Sequence, residues 1–340
     1  LEPTGPIAFD RKSPPRATVE FAIDAQSLAK AAHVDLEADA AAGKKWELSE
    51  TGEGELRFRV RVPRDSQEAF ADAFHVSEPS VMRVVNRPLR VLLFASSASR
   101  DYQFLRSILV REMDKKRAEL AIYLQLPPGV TERHGGIVQD VPAERLLDSF
   151  PTRLEASDKD DKLKGLDQYD VIVAFDPDWE ELNENQLKMV ERWVEKGGGL
   201  IALGGPINTV RLAPHRSRLK KLGPILDLYP VQVSDVRNLD LDPRLGSEPW
   251  PLRFTGATPD MEFLKLEEGE EGVKFLDDWN TFFWGKDGKQ EGEPQNGFYS
   301  CYPIDKVKTT SVVVARFTDP KIPFRAADGK IEQQPYLVMT

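Results

Sequence analysis

Three groups of residues carry functional groups at spacings that could do chemistry. Ser96 and Ser97 place two hydroxyls a few positions before Arg100, Asp176 and Asp178 are carboxylates two residues apart, and Gly204 and Gly205 precede Asn208. A serine or aspartate here would serve a hydrolase only if a base activated it. The bases on offer are His134 and His215, which the sequence alone does not bring to them. Two aspartates hold a metal ion only with further oxygen ligands converging from elsewhere, and no metal is assigned. A DPDW turn after a strand is also ordinary helix-entry chemistry, because Asp side chains satisfy free backbone N–H groups. Gly204-Gly205 more commonly meets a backbone need for positive φ, although two exposed N–H groups before a helix suit a carboxylate or phosphate. Cys301, the only thiol, lies in GFYSCYP, where packing outweighs catalysis.

The element that holds Asp176, Asp178, Gly204 and Gly205 is the stretch 168–206. Val171–Phe175 is a fully apolar run suited to a strand buried on both faces. Asn185 is expected to open a helix with Leu187, Val190 and Val194 on its apolar side. The triplet Gly197 to Gly199 ends it, and 200–203 reads as a second buried strand. Strand, helix and parallel strand within about 35 residues make one βαβ unit. The run 91–95 is a preceding strand, the small residues 96–99 cap a helix over about 101–116, and 120–126 is the next strand. That helix places Phe104, Leu105, Ile108, Leu109 and Met113 on one face. Strands alternating with helices over 89–227 predict an α/β fold with a doubly wound, mostly parallel sheet. Such sheets bind ligands at strand carboxyl ends, where strand order reverses. The residues at those ends are Ser96, Ser97, Asp176, Asp178 and Gly204 to Asn208.

Before residue 88 the pattern differs. Residues 1–16 read as an irregular lead-in, and 17–23, 33–38, 45–49, 56–62 and 81–86 alternate like strands, with a turn at 52–54. Strands at roughly 10-residue spacing imply a small antiparallel β-sandwich over 1–87. His33 and His75 lie there without a ligand pattern. The α/β domain then occupies 88–340, with a polar connection at 127–167 that holds a short helix near 143–149. A basic helix is expected over about 211–226, and an irregular insertion at about 230–300. Trp279, Phe282, Phe283 and Trp284 inside it read as a satellite core rather than a ligand platform. Residues 311–317 form a last clear strand, and 337–339 begin another.

A length of 340 residues suits two domains, and 40% hydrophobic with 30% charged residues can build proper cores. A net charge of −10 argues against a nucleic-acid partner, and short basic runs such as 216–221 read as a solvated helix face. One cysteine excludes internal disulfides, a Cys-based zinc site and an iron–sulfur cluster. No stretch reaches the ~18 apolar residues of a membrane span. The chain starts at Leu1 rather than Met and stops inside the apolar run 336–339, which reads as a piece of a longer polypeptide.

RPLRVLLFASSASRDYQFLRSIL, then QYDVIVAFDPDW, then VERWVEKGGGLIALGGP together resemble the class I glutamine amidotransferase-like superfamily. The likeness is to its non-catalytic branch, including trehalose-utilisation (ThuA-like) domains, and spans about 88–227, with a weaker echo over 308–340. It implies a flavodoxin-like sheet following an Ig-like β module, as in large bacterial membrane-anchored proteins. In active members a cysteine sits on the turn after the strand matching 200–203, with a His and an acid behind it. Here that turn is Gly204-Gly205-Pro206, so no catalytic residue carries over and the resemblance points away from an enzyme.

The resemblance therefore implies a non-catalytic domain with an interaction or structural role, with no cofactor, and with other domains or proteins as partners. It would be anchored to a membrane only through segments outside this chain, and this part would be extracytoplasmic. A first alternative is a small-molecule binding or sensing domain using Ser96, Ser97, Arg100, Asp176, Asp178, Gly204, Gly205 and Asn208. A second is a hydrolase with a non-cysteine mechanism.

Overall fold

Buried runs of branched residues pair in parallel where a helix carries the chain back, and this rule builds the middle of the molecule. The computed structural model describes residues 8–10, 16–18, 53–58, 61–63, 74–78, 80–85, 87–125, 139–156, 163–214, 219–236, 248–255, 262–264, 266, 275–285, 290 and 293–340. The chain divides into two compact units, Leu1–Arg87 and Pro88–Thr340.

In the first unit the described strands are β1 (Ala8–Asp10), β2 (Arg16–Thr18), β3 (Glu53–Phe58), β4 (Arg61–Pro63), β5 (Phe74–Val76) and β6 (Ser80–Val85). They pair antiparallel as β1–β2, β3–β6 and β4–β5. β1 falls in the stretch read as an irregular lead-in; its ladder partner, not its own composition, makes it a strand. The turn expected at 52–54 instead opens β3, with Glu53 opposite Val85. His75 is exposed on β5. The strands expected at 33–38 and 45–49, and His33, lie outside the described residues.

The second unit opens with β7 (Leu89–Ala95), α1 (Arg100–Asp114), β8 (Ala118–Leu124), β9 (Val171–Phe175), α2 (Glu184–Glu195) and β10 (Gly199–Leu203). The four strands form a parallel sheet in the order β10-β9-β7-β8, so strand order reverses between β7 and β9. Alternate residues of β7 enter different cores, as strand geometry requires. Leu92 and Phe94 pack with Leu187, Val190 and Trp193 of α2, whereas Val91, Leu93 and Ala95 pack with Tyr102, Leu105 and Met113 of α1. Helices therefore cover both faces of this sheet.

Several local expectations change. Asn183, not Asn185, caps α2, in a reciprocal capping box with Gln186. Tyr102 is the buried residue of α1, and Phe104 is 68% exposed, because the helix is turned to bring Tyr102, Leu105, Leu109 and Met113 inward. β10 is half-exposed rather than buried: among the described residues it has a neighbour on one side only, and Ile201 is 53% exposed. The basic helix is shorter than expected, with a 3-10 turn at Thr209–Leu212 and then α3 (Leu219–Leu228). The short helix after residue 142 is likewise a single 3-10 turn, Ala143–Arg145.

Helix α2 ends in a Schellman motif: Gly197 has φ 99°, its N–H bonds the Val194 carbonyl at 2.9 Å, and Gly198 N–H bonds the Trp193 carbonyl at 3.0 Å. A Cβ on Gly198 would lie 2.3 Å from the Trp193 indole, whereas one on Gly199 would meet only ordinary contacts at 3.5 Å. Gly198→Ala should thus cost about 2 kcal/mol, in the range of overpacked cores, and Gly199→Ala much less. Thermal unfolding of the two variants side by side checks this.

After β10 the described strands of the second unit pair antiparallel and do not continue the parallel sheet. This part comprises β11 (Val231–Val233), β12 (Leu252–Phe254), α4 (Phe275–Trp284), β13 (Ile304–Val307), β14 (Val312–Phe317), β15 (Pro323–Arg325) and β16 (Ile331–Met339). β11 pairs with β13, and a four-stranded sheet runs β12-β14-β16-β15. The insertion read as irregular thus supplies two strands and a helix, because the strands' partners lie far downstream and leave no local period. Leu252 pairs with Phe317, for example.

Candidate functional site

The reversal between β7 and β9 puts the carboxyl ends of two central strands side by side, and Ser96 N–H bonds the Phe175 carbonyl at 3.3 Å. The next residue, Asp176, has φ 42°, a left-handed conformation that Asp tolerates better than most residues. This turn aims its carboxylate at the loop after β10. There it accepts N–H bonds from Ile207 (2.9 Å), Asn208 (3.1 Å) and Thr209 (2.8 Å), and the Thr209 hydroxyl at 2.8 Å. The Asn208 amide donates back to the Asp176 carbonyl at 2.9 Å. Gly205 N–H donates to Thr209 Oγ1 at 2.8 Å, and a Cβ on Gly205 would lie 2.6 Å from Asp176. Gly205 is a glycine because the carboxylate packs against its backbone.

These contacts join Asp176, Gly205 and Asn208 and add Thr209, which the sequence reading missed. They also change the site's meaning. Gly205 N–H, one of the two donors read as suiting an external anion, is taken by Thr209 Oγ1, and the N–H groups that follow it, Ile207 to Thr209, hold the chain's own carboxylate.

Asp178 belongs to a second network. Its Oδ1 caps the 3-10 turn Trp179–Glu181 by accepting from Glu180 N–H at 3.1 Å, and its Oδ2 pairs with Arg211. Gln125, buried at the end of β8, accepts from Asp178 N–H at 2.8 Å and donates to the Asp178 carbonyl at 2.9 Å and to Glu181 at 3.0 Å. Lys221 of α3 donates to the Glu180 carbonyl at 2.6 Å. The Glu181 carboxyl is pushed up by desolvation and then by repulsion from Asp178, with Gln125 and Arg211 opposing. Gln125 was findable as the residue at the carboxyl end of β8, although the expected strand ran past it.

The remaining candidates stay apart from these networks. The Ser96 hydroxyl is buried with no hydrogen-bond partner among the described residues. Ser97 is exposed, and its carbonyl accepts from Ser99 N–H at 2.9 Å. Ser99 caps α1 by accepting from Tyr102 N–H, and Arg100 is an exposed first-turn residue. Gly204 is exposed, and a Cβ there would meet only ordinary contacts, the nearest at 3.4 Å. His134 and His215 lie outside the described residues.

No family model, curated protein or solved structure matches this chain. Among the described residues no group of three or more His, Cys, Asp or Glu could hold a metal ion. No helix among them is long and apolar enough to cross a membrane.

Cys301 lies outside the parallel sheet, packed against Phe317 and Ile322. Burial pushes its thiol up to about 12, so it is a thiol rather than a thiolate at neutral pH. The aromatic cluster is partly core and partly cavity wall. Phe283 is buried, and Trp279 packs on Phe254 with ring centroids 5.0 Å apart. With Trp250 and Trp284 they line a cavity of about 700 Å³.

Proposed function

We propose that this chain is a non-catalytic amidotransferase-like domain behind an Ig-like β module, with an interaction or structural role in a larger envelope-associated bacterial protein. One observation carries this reading: Asp176 fills the donor loop beside the position where the family's nucleophile would stand. The loop itself offers Gly204, Gly205 and Pro206, none of which can attack a carbonyl. The strand order β8-β7-β9-β10 supports the flavodoxin-like assignment, since it matches the first four strands of that topology. The interaction role draws on β10, which has a neighbour on one side only among the described residues and exposes Ile201 and Leu203. An open apolar edge of this kind is a template for strand pairing with another domain or protein.

Ammonia release from glutamine tests the catalytic half of the proposal. The chain and its Cys301→Ser variant should both stay at background, and Cys301 should react with a thiol reagent only after unfolding. Turnover that disappears in Cys301→Ser would overturn the reading.

A further inference from the structure

A second cavity, of about 350 Å³, lies between the β11–β13 pair and the β15–β16 hairpin. Its volume is at the small end of the ~300–1,000 Å³ typical of ligand sites. Val236, Ile304 and Ile322 give it a buried apolar floor, and Gln334 of β16 joins them at 1% exposure. The Gln334 Oε1 atom is fully buried and accepts from no protein group among the described residues. A buried amide of this kind is costly unless something donates to it. The mouth carries exposed charges of both signs: Asp235, Asp305, Lys321 and Arg325. Asp305 Oδ1 accepts the Ser234 hydroxyl, which holds this carboxylate at the rim. Among the described residues, neither Lys321 nor Arg325 enters a salt bridge.

We infer that this cavity binds a small zwitterion of the free α-amino-acid type. Its ammonium group meets Asp305 and supplies the donor that Gln334 lacks. Its carboxylate meets Lys321 and Arg325, and a short aliphatic side chain lies on Ile304 and Ile322. A plain anion would leave Asp305 and Gln334 unanswered, and a plain cation would leave Lys321 and Arg325 unanswered. The site lies outside the parallel sheet and is independent of the amidotransferase-like reading.

Calorimetric titration of the whole chain with glycine, alanine, valine and leucine tests the inference, beside N-acetyl-leucine and leucinamide. At least one free amino acid should bind, and each capped leucine should bind at least tenfold more weakly than leucine. Gln334→Met keeps the volume while removing the unanswered acceptor, so it should fold with an unlowered melting temperature and lose at least tenfold in affinity. Arg325→Ala, a surface change, should weaken binding of the free amino acid yet leave leucinamide binding unchanged. Absence of binding across the panel, capped forms binding as well as free leucine, or Gln334→Met binding like the wild type would each overturn it.

Discussion

Asp176→Gly should destabilise the second unit by roughly 3–5 kcal/mol. The carboxylate accepts three backbone N–H groups and one hydroxyl, and hydrogen bonds to a charged group contribute about 1.5–3 kcal/mol each without adding fully. Glycine is the informative choice because φ at this position is 42°, where it carries no steric penalty. Its cost is therefore mainly that of the lost carboxylate, with the extra freedom of glycine in the unfolded chain adding about 0.4–1 kcal/mol. Asp176→Ala should lose about 1 kcal/mol more, since an alanine is strained in the left-handed region. Asp176→Asn fits the backbone and keeps one acceptor oxygen, so it should fall between the wild type and glycine. Urea unfolding followed by tryptophan fluorescence reads the series, because Trp179 and Trp193 both lie in the core beside this strand. A glycine variant within about 1 kcal/mol of the wild type would show that the loop holds itself without the carboxylate. Alanine equal to glycine would show that the backbone conformation carries no strain.

The same aspartate shows how far local sequence reaches. The DPDW turn after an apolar strand marked both aspartates as helix-entry residues; Asp178 does that work by capping Trp179–Glu181, whereas Asp176 holds N–H groups of the loop after β10. Its partners were not legible. They lie more than 30 positions away, and only the parallel pairing of β9 with β10 brings the two turns together. Gln125 was findable by its place at the end of β8, but its pairing with Asp178, 53 residues on, was hidden for the same reason. The parallel strands were readable because each is a continuous apolar run, and α1 and α2 because they carry their own caps. The strands after residue 230 were not, since their pairing is non-local and their residues half-buried. Burial of β10 was misjudged because an apolar run tells that a strand forms, not whether a neighbour lies on each side.

Alkaline pH should unfold the second unit, and Tyr102 should account for a measurable share of the loss. Tyr102 is fully buried on α1 and donates to Gln139 at 2.6 Å; burial raises its phenol to about 12, with Arg106 opposing. Burial also raises Tyr169, whose hydroxyl donates to the Leu163 carbonyl at 2.9 Å. An unfolded tyrosine titrates near 10. Below that pH both states hold the proton, and the stabilisation is complete. Between 10 and about 12 the unfolded chain releases the Tyr102 proton while the folded chain keeps it, so stability falls by about 1.4 kcal/mol per pH unit for this group. Over two units that approaches 3 kcal/mol, and Tyr169 adds a loss of the same sign. Tyr102→Phe should remove its share of the slope between pH 10 and 12. At pH 7 the same variant should cost about 1–2 kcal/mol, because it leaves the Gln139 acceptor buried without its donor. Tyr102→Phe with Gln139→Leu, which removes both partners, should recover most of that cost. Urea midpoints at a series of pH values separate the two effects. An unchanged slope in Tyr102→Phe would assign the alkaline loss to other groups.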